Sequence, residues 1–179
     1  MEQILENIMD KMNEIEYGFK LNNKNIYPQN DDEWSNDFAK QYRLQSPIEL
    51  MKSKLGVCWD QVELERYYFE KEKIKYETYF IIEYDGKEYP THTFAIINLN
   101  EKYYWFEHSW EPYRGIKKFD SIELALLDVK SKFIKMLDNR NISSKEIVIY
   151  KYKKPNYGIN SNEFFKHCEQ GQKIIIWLN

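Results

Sequence analysis

Cys58 stands in the run Leu55-Gly56-Val57-Cys58-Trp59-Asp60, where a loop turns into a helix. Unpaired backbone N–H groups and the positive end of the macrodipole gather at such a point. That setting suits an anion, and thiolate is the form in which cysteine attacks. The same N–H groups can steady an oxyanion formed beside the sulfur. Taken alone, Cys58 reads first as a small core hydrophobe, which is how most free cysteines serve.

His92 adds a second element. Strand alternation puts His92, Phe94 and Ile96 on one face and Thr93, Ala95 and Ile97 on the other. An imidazole in an otherwise apolar strand needs partners, because burying its nitrogens unpaired is costly. A structural histidine bonded within the core meets that need. A thiol on one side and a carboxylate on the other also meets it, and that trio is what nucleophilic catalysis requires.

The third member depends on strand register. If the loop after Asn98 has four residues, or the loop after Leu99 has two, His92 faces Ser109 and Glu107 is its diagonal neighbour on the same face. Diagonal pairs lie roughly 7–8 Å apart at the backbone, within reach of long side chains. A three-residue loop puts His108 opposite His92 instead, since one residue of slip exchanges the two faces. Glu107 is preferred: Tyr103, Trp105 and Glu107 then share the His92 face, and a carboxylate can orient an imidazole.

The elements that must hold these residues follow from periodicity. Residues 2–16 carry Ile4, Leu5, Ile8, Met9, Met12 and Ile15 at helical spacing. An Asn-, Lys- and Asp-rich connection runs to about residue 31, and a short helix is expected over 32–41. Ser46-Pro47-Ile48-Glu49 reads as a cap, a first-position proline and a first-turn acid, opening a helix that ends near Gly56. The helix from Cys58 runs to about Lys73 with Trp59, Val62 and Phe69 on one side. Strands follow over Thr78–Tyr84, Tyr89–Leu99 and Lys102–Glu107, with Asp85-Gly86 as a type I′ hairpin signal. Asp120-x-x-Glu123 resembles a capping box before a helix carrying Ile122, Leu126, Val129, Phe133 and Leu137. Ile147–Tyr152 reads as a strand, Ser161–Cys168 as a short helix, and 173–178 as an apolar strand buried on both faces. Helices first and mainly antiparallel strands after them give an α+β class, with the Cys-bearing helix packed on the sheet.

The totals narrow the function. The 179 residues suit a single domain over 1–179. With 29 acidic and 26 basic residues the net charge is −3, which argues against nucleic acid, whose phosphates need a concentrated basic face. No stretch approaches the roughly 20 apolar residues that span a bilayer, so no membrane partner is expected. The N-terminus lacks a secretory pattern, and the two cysteines, Cys58 and Cys168, suit reduced thiols in the cytoplasm. Cys168 follows His167 directly, and neighbours on a helix point apart, so it reads as structural. No histidine pair has ligand spacing, and neither a metal nor another cofactor is expected.

Gly56-Val57-Cys58-Trp59-Asp60 resembles the Gly-x-Cys-x-Asp segment of the transglutaminase-like superfamily. His92-Thr93-Phe94 is similar to its next motif, a strand histidine with an aromatic two residues later. Trp105-Phe106-Glu107-His108-Ser109 stands where the family has an aspartate after a tryptophan-bearing strand. The resemblance covers roughly 46–115. His92 follows Cys58 by 34 positions, a separation that suits this branch and not papain-type proteases, where it is roughly 130–150.

The resemblance implies a papain-like core with Cys58 as nucleophile, His92 as base and then acid, and Glu107 as orienter. Asp60 matches the family pattern, as a first-turn acid or a substrate contact. Gln41 or Gln45 is a candidate oxyanion donor, as in related folds, on residue type alone. The activity implied is cofactor-independent acyl transfer from a peptide or glutamine-type amide of a peptide or protein substrate; hydrolysis is favoured over amine transfer because water is the default acceptor and no second-substrate channel can be read. The alternative is a catalytically silent domain of this fold that binds a protein or peptide.

Overall fold

The computed structural model describes residues 2–21, 24–28, 34–84, 89–142 and 146–176. Helix α1 (Glu2–Met12) buries Leu5, Ile8 and Met12, the stripe its spacing foretold. A small hairpin, β1 (Phe19–Leu21) and β2 (Lys24–Ile26), lies within the stretch expected to be a plain connection. Two short helices follow, α2 (Trp34–Gln41) and α3 (Pro47–Ser53). Ser46 opens α3 with a complete capping box: its hydroxyl accepts from the Glu49 N–H, and the Glu49 carboxylate accepts from the Ser46 N–H at 2.7 Å.

Helix α4 (Cys58–Lys71) is the central helix. The strands beyond it are β3 (Lys75–Glu83), β4 (Thr91–Leu99), β5 (Lys102–Glu107), β6 (Gly115–Phe119), β7 (Ile147–Tyr152) and β8 (Gln172–Ile174). They form a six-stranded antiparallel sheet in the order β6-β5-β4-β3-β7-β8. Helix α5 (Ile122–Asn139) follows β6, and α6 (Ser161–Glu169) follows β7. The architecture is α+β with an antiparallel sheet, as the order of patterns implied.

Alternation divides the sheet cleanly. Phe94, Ile96, Trp105, Tyr79 and Ile81 pack against Ala125, Leu126, Val129 and Phe133 of α5. On the other face, Ala95, Ile97 and Phe106 meet Leu64 and Phe69 of α4 and the apolar stripe of α1. Phe80 and Ile82 continue that face under the start of α4 and against Phe164 and Cys168 of α6.

Three expectations change. Ser121, not Asp120, caps α5: its hydroxyl accepts from the Leu124 N–H, while Asp120 pairs with Lys102 at the surface. The last apolar run is no doubly buried strand: β8 is a short edge strand, and Ile175 after it is 69% exposed. Strand β6 was not foreseen. The Asp85-Gly86 turn lies outside the described residues. Among the described residues no helix is long and apolar enough to cross a membrane.

Candidate active site

Topology and element length bring the sequence candidates to one end of the sheet. Helix α4 runs straight into β3 through a tight turn at 72–74, so its N-terminus returns to the far end of β3. A 14-residue helix rises about 20 Å. β3 covers about the same distance between Lys75 and Ile81, and Ile81 is paired with His92. Cys58 is therefore level with His92. β4 and β5 are joined by two residues, Asn100 and Glu101, both at positive φ as a type I′ turn requires. That turn pairs Leu99 with Lys102 and sets Glu107, the last residue of β5, diagonal to His92.

The contacts are close. His92 Nε2 and Glu107 Oε2 are 2.7 Å apart, and both residues are buried. The ring also makes a side-chain hydrogen bond with Cys58, which leaves Nδ1 for the sulfur. Glu107 is itself fixed: its Oε1 accepts from the Ser109 hydroxyl at 3.1 Å and the Trp110 N–H at 2.8 Å. The Trp110 ring covers the imidazole with centroids 4.9 Å apart. Burial works against the imidazolium, but the Glu107 carboxylate and the Cys58 sulfur outweigh it and push the His92 pKa up to about 10. Burial also opposes the Glu107 carboxylate, yet the facing imidazolium, the Trp110 N–H and the Ser109 hydroxyl carry its pKa below the ordinary glutamate value.

A fourth residue, Tyr17, had no place in the sequence reading. Residues 16–18 run parallel to 54–56: the Glu16 N–H donates to Lys54 O at 2.8 Å, and the Gly56 N–H donates to Glu16 O at 3.1 Å. This strap carries Tyr17 to the start of α4, where its hydroxyl accepts from the Cys58 backbone N–H and donates to the Cys58 sulfur. Tyr17 as a residue is 36% exposed, but its hydroxyl is desolvated against the Cys58 sulfur, and both effects hold its pKa above the ordinary tyrosine value. The only sequence signal is Gly18, where a Cβ would come within 2.5 Å of the Ile26 carbonyl oxygen.

The remaining candidates sit elsewhere. Asp60 is fully buried and contacts no cleft; its carboxylate accepts from the Tyr42 hydroxyl at 2.7 Å, the Gln45 N–H at 2.8 Å and the Val57 N–H at 2.9 Å. Burial nevertheless raises its pKa to about 7. Asp60 thus ties the loop before α3 to the mouth of α4 and is not placed to touch substrate. The Gln45 amide is committed to the Leu55 carbonyl and the Ser53 hydroxyl, away from the thiol. Gln41 is exposed at the end of α2 and does not line the cleft. His108 points to the opposite sheet face from Glu107 and bonds Gln61 there at 2.6 Å; burial lowers its pKa to about 4. Cys168 is fully buried in the core, and burial holds its thiol well above the ordinary cysteine value.

A cleft of about 870 Å³ opens over Cys58 and His92, a size suited to a peptide segment or a small ligand. Tyr17, Phe38, Tyr84 and Trp110 make its aromatic walls, and the exposed Arg140, Asn162, Lys166 and Glu169 stand at its rim. Among the described residues, no group of histidine, cysteine and carboxylate side chains is arranged to hold a metal ion. A family model described as a transglutaminase-like domain matches residues 2–150, a span that takes in Tyr17 as well as Cys58, His92 and Glu107. No curated protein matches the chain.

Proposed function

The chain belongs to the transglutaminase-like domain family, and on that premise we propose that Cys58, His92 and Glu107 form a catalytic triad transferring the acyl group of a peptide or glutamine-type amide to water. The observation that carries this reading is the imidazole held between sulfur and carboxylate, with Glu107 2.7 Å from Nε2. Thiolate adds to the amide carbon, and the carbonyl electron pair moves to oxygen. The imidazolium gives its Nδ1 proton to the leaving amine as the C–N bond breaks. His92 then takes a proton from water as the hydroxide adds to the thioester, and collapse expels the thiolate and frees the acid.

Water is favoured as the default acceptor: the rim of the cleft is charged and exposed, although Cys58 and His92 themselves are buried. The mechanism draws on no cofactor. It needs a free thiol, and both cysteines are free, which fits the reducing cytoplasm as its setting.

Selective alkylation tests it. Iodoacetamide at pH 6 is expected to label Cys58 rapidly while the buried Cys168 stays unmodified in the same molecule, and His92→Ala is expected to slow that labelling at least tenfold. Equally slow labelling of both thiols in the native protein would remove the enzymatic reading. A positive result is followed by peptide-cleavage and amine-incorporation assays, which separate water from amine as acceptor.

A further inference from the structure

We propose that Tyr17 is a catalytic residue whose hydroxyl forms, with the backbone N–H of Cys58, the oxyanion hole of this site. The inference rests on Cys58 being the nucleophile and adds a donor that the motif residues do not contain. Three observations carry it. The parallel strap of residues 16–18 against 54–56 fixes Tyr17 beside the first turn of α4 through backbone hydrogen bonds. The hydroxyl is bonded both to the sulfur and to the N–H of the same residue. Tyr17 and Cys58 line the same cleft.

An acyl oxygen on a carbon bonded to Sγ falls in the space those two groups define. As thiolate adds to the carbonyl, the Cys58 N–H passes from the phenol oxygen to the oxyanion. The phenol O–H, no longer needed by a sulfur that has become neutral, turns its proton to the same oxygen. No proton is transferred: the phenol holds its proton throughout, consistent with its raised pKa. Both donors stand beside the sulfur before reaction and need only exchange hydrogen-bond partners, so most of the electrostatic stabilisation is set up in advance. Gln45 cannot take the part, since its amide is bonded to Leu55 and Ser53.

The test compares two reactions of one sulfur. Iodoacetamide alkylates by displacement at a saturated carbon and develops no oxyanion. p-Nitrophenyl acetate acylates through a tetrahedral oxyanion and releases p-nitrophenolate. Both rates are measured for full-length wild type and Tyr17→Phe across a pH series and compared at their plateaus. Tyr17→Phe is expected to slow acylation about 10²-fold, the cost of losing one oxyanion donor, while plateau alkylation at Cys58 shifts by no more than about threefold, the effect of losing the phenol hydrogen bond to the sulfur. Selective alkylation at that rate also shows that the variant retains the site. Acylation at the wild-type rate would overturn the assignment. So would a rise in both rates, which makes Tyr17 a cover over the thiol, or an equal fall in both, which makes it a prop for the sulfur. If wild-type Cys58 is not selectively alkylated, the failure belongs to the proposed function and not to Tyr17.

Discussion

Glu107 reaches His92 from a diagonal position in the strand ladder, and the extra methylene of glutamate is what closes the gap. Its carboxylate is held at both oxygens, by the imidazole on one and by Ser109 and Trp110 on the other. These contacts fix the carboxylate against the ring. Shortening the arm retracts the carboxylate by about 1.5 Å and breaks the 2.7 Å contact. Glu107→Asp is thus expected to lower p-nitrophenyl acetate turnover although aspartate is the acid the wider superfamily carries. Glu107→Gln is expected to lower it further, about 10²- to 10⁴-fold, since the charge that keeps the imidazole protonated is gone. An NMR titration of the ring reads the cause: the His92 pKa should fall from about 10 in Glu107→Gln. A variant that keeps both the turnover and the ring titration of wild type would show that the carboxylate does not act through His92. His108, one residue on, illustrates why register matters: alternation sends it to Gln61 on the opposite face, and the two-residue turn at Asn100-Glu101 decides which of the two meets His92.

At the scale of elements, the site rests on the mouth of α4, where two glycines allow close approach. A Cβ at Gly56 would meet Leu50 Cδ1 at 2.6 Å and Asp60 Cβ at 2.9 Å. One at Gly18 would meet the Ile26 carbonyl oxygen at 2.5 Å. Both alanine variants are expected to lose stability in urea unfolding, by about 1–3 kcal/mol for Gly56→Ala. Gly18→Ala should lose more, because a leucine methyl can swing aside and a strand carbonyl cannot. The reverse order would mean that the strap carrying Tyr17 is looser than its hydrogen bonds imply. This part of the molecule also separates what was legible in the sequence from what was not. That Cys58, His92 and Glu107 meet was legible because local rules place them: a helix start, period-two alternation and a short turn that sets register. Tyr17 was not, since its position depends on pairing with residues 54–56, nearly forty positions away, from within a polar segment that carries no periodicity. Strand β6 escaped for a related reason: it is an edge strand, half-exposed along most of its length, so no alternation marks it. The α5 cap shifted by one residue because Asp120 and Ser121 are both competent caps and only the backbone entry angle chooses between them.

For the molecule as a whole, the decisive feature is that α4 is buried on nearly every side, although half its early residues are polar. Asp60, Gln61, Glu63, Glu65 and Arg66 are all buried, where pattern alone assigns such residues to solvent. Most have partners: Arg66 bonds Glu63 at 2.9 Å and the Thr78 hydroxyl at 2.7 Å. Glu65 Oε2 has none among the described residues, and burial, with the Glu107 charge added, holds the Glu65 pKa well above 4.5. The same direction holds for Asp60, raised from 3.8 to about 7 by burial, and for His92, raised from 6.5 to about 10. Each of these groups keeps its proton to higher pH in the folded protein than in the unfolded chain. Its stabilising contribution is therefore complete below the unfolded pKa and drains away as pH rises through the folded one. For Asp60 that window runs from 3.8 to about 7 and for His92 from 6.5 to about 10. Glu107 acts oppositely, stabilising above 4.5 and losing its contribution as pH falls through its lowered value. Thermal unfolding followed by circular dichroism is accordingly expected to show the highest Tm in mildly acidic buffer and a steady decline into alkaline solution. Glu65→Gln isolates one contributor, because the amide copies the protonated acid in shape and does not titrate. Its Tm should match wild type in mildly acidic buffer and exceed it at alkaline pH, where wild type must either ionise a buried acid or hold its proton against the solvent. A decline as steep as that of wild type would place Glu65 in contact with water and remove it from the core of α4.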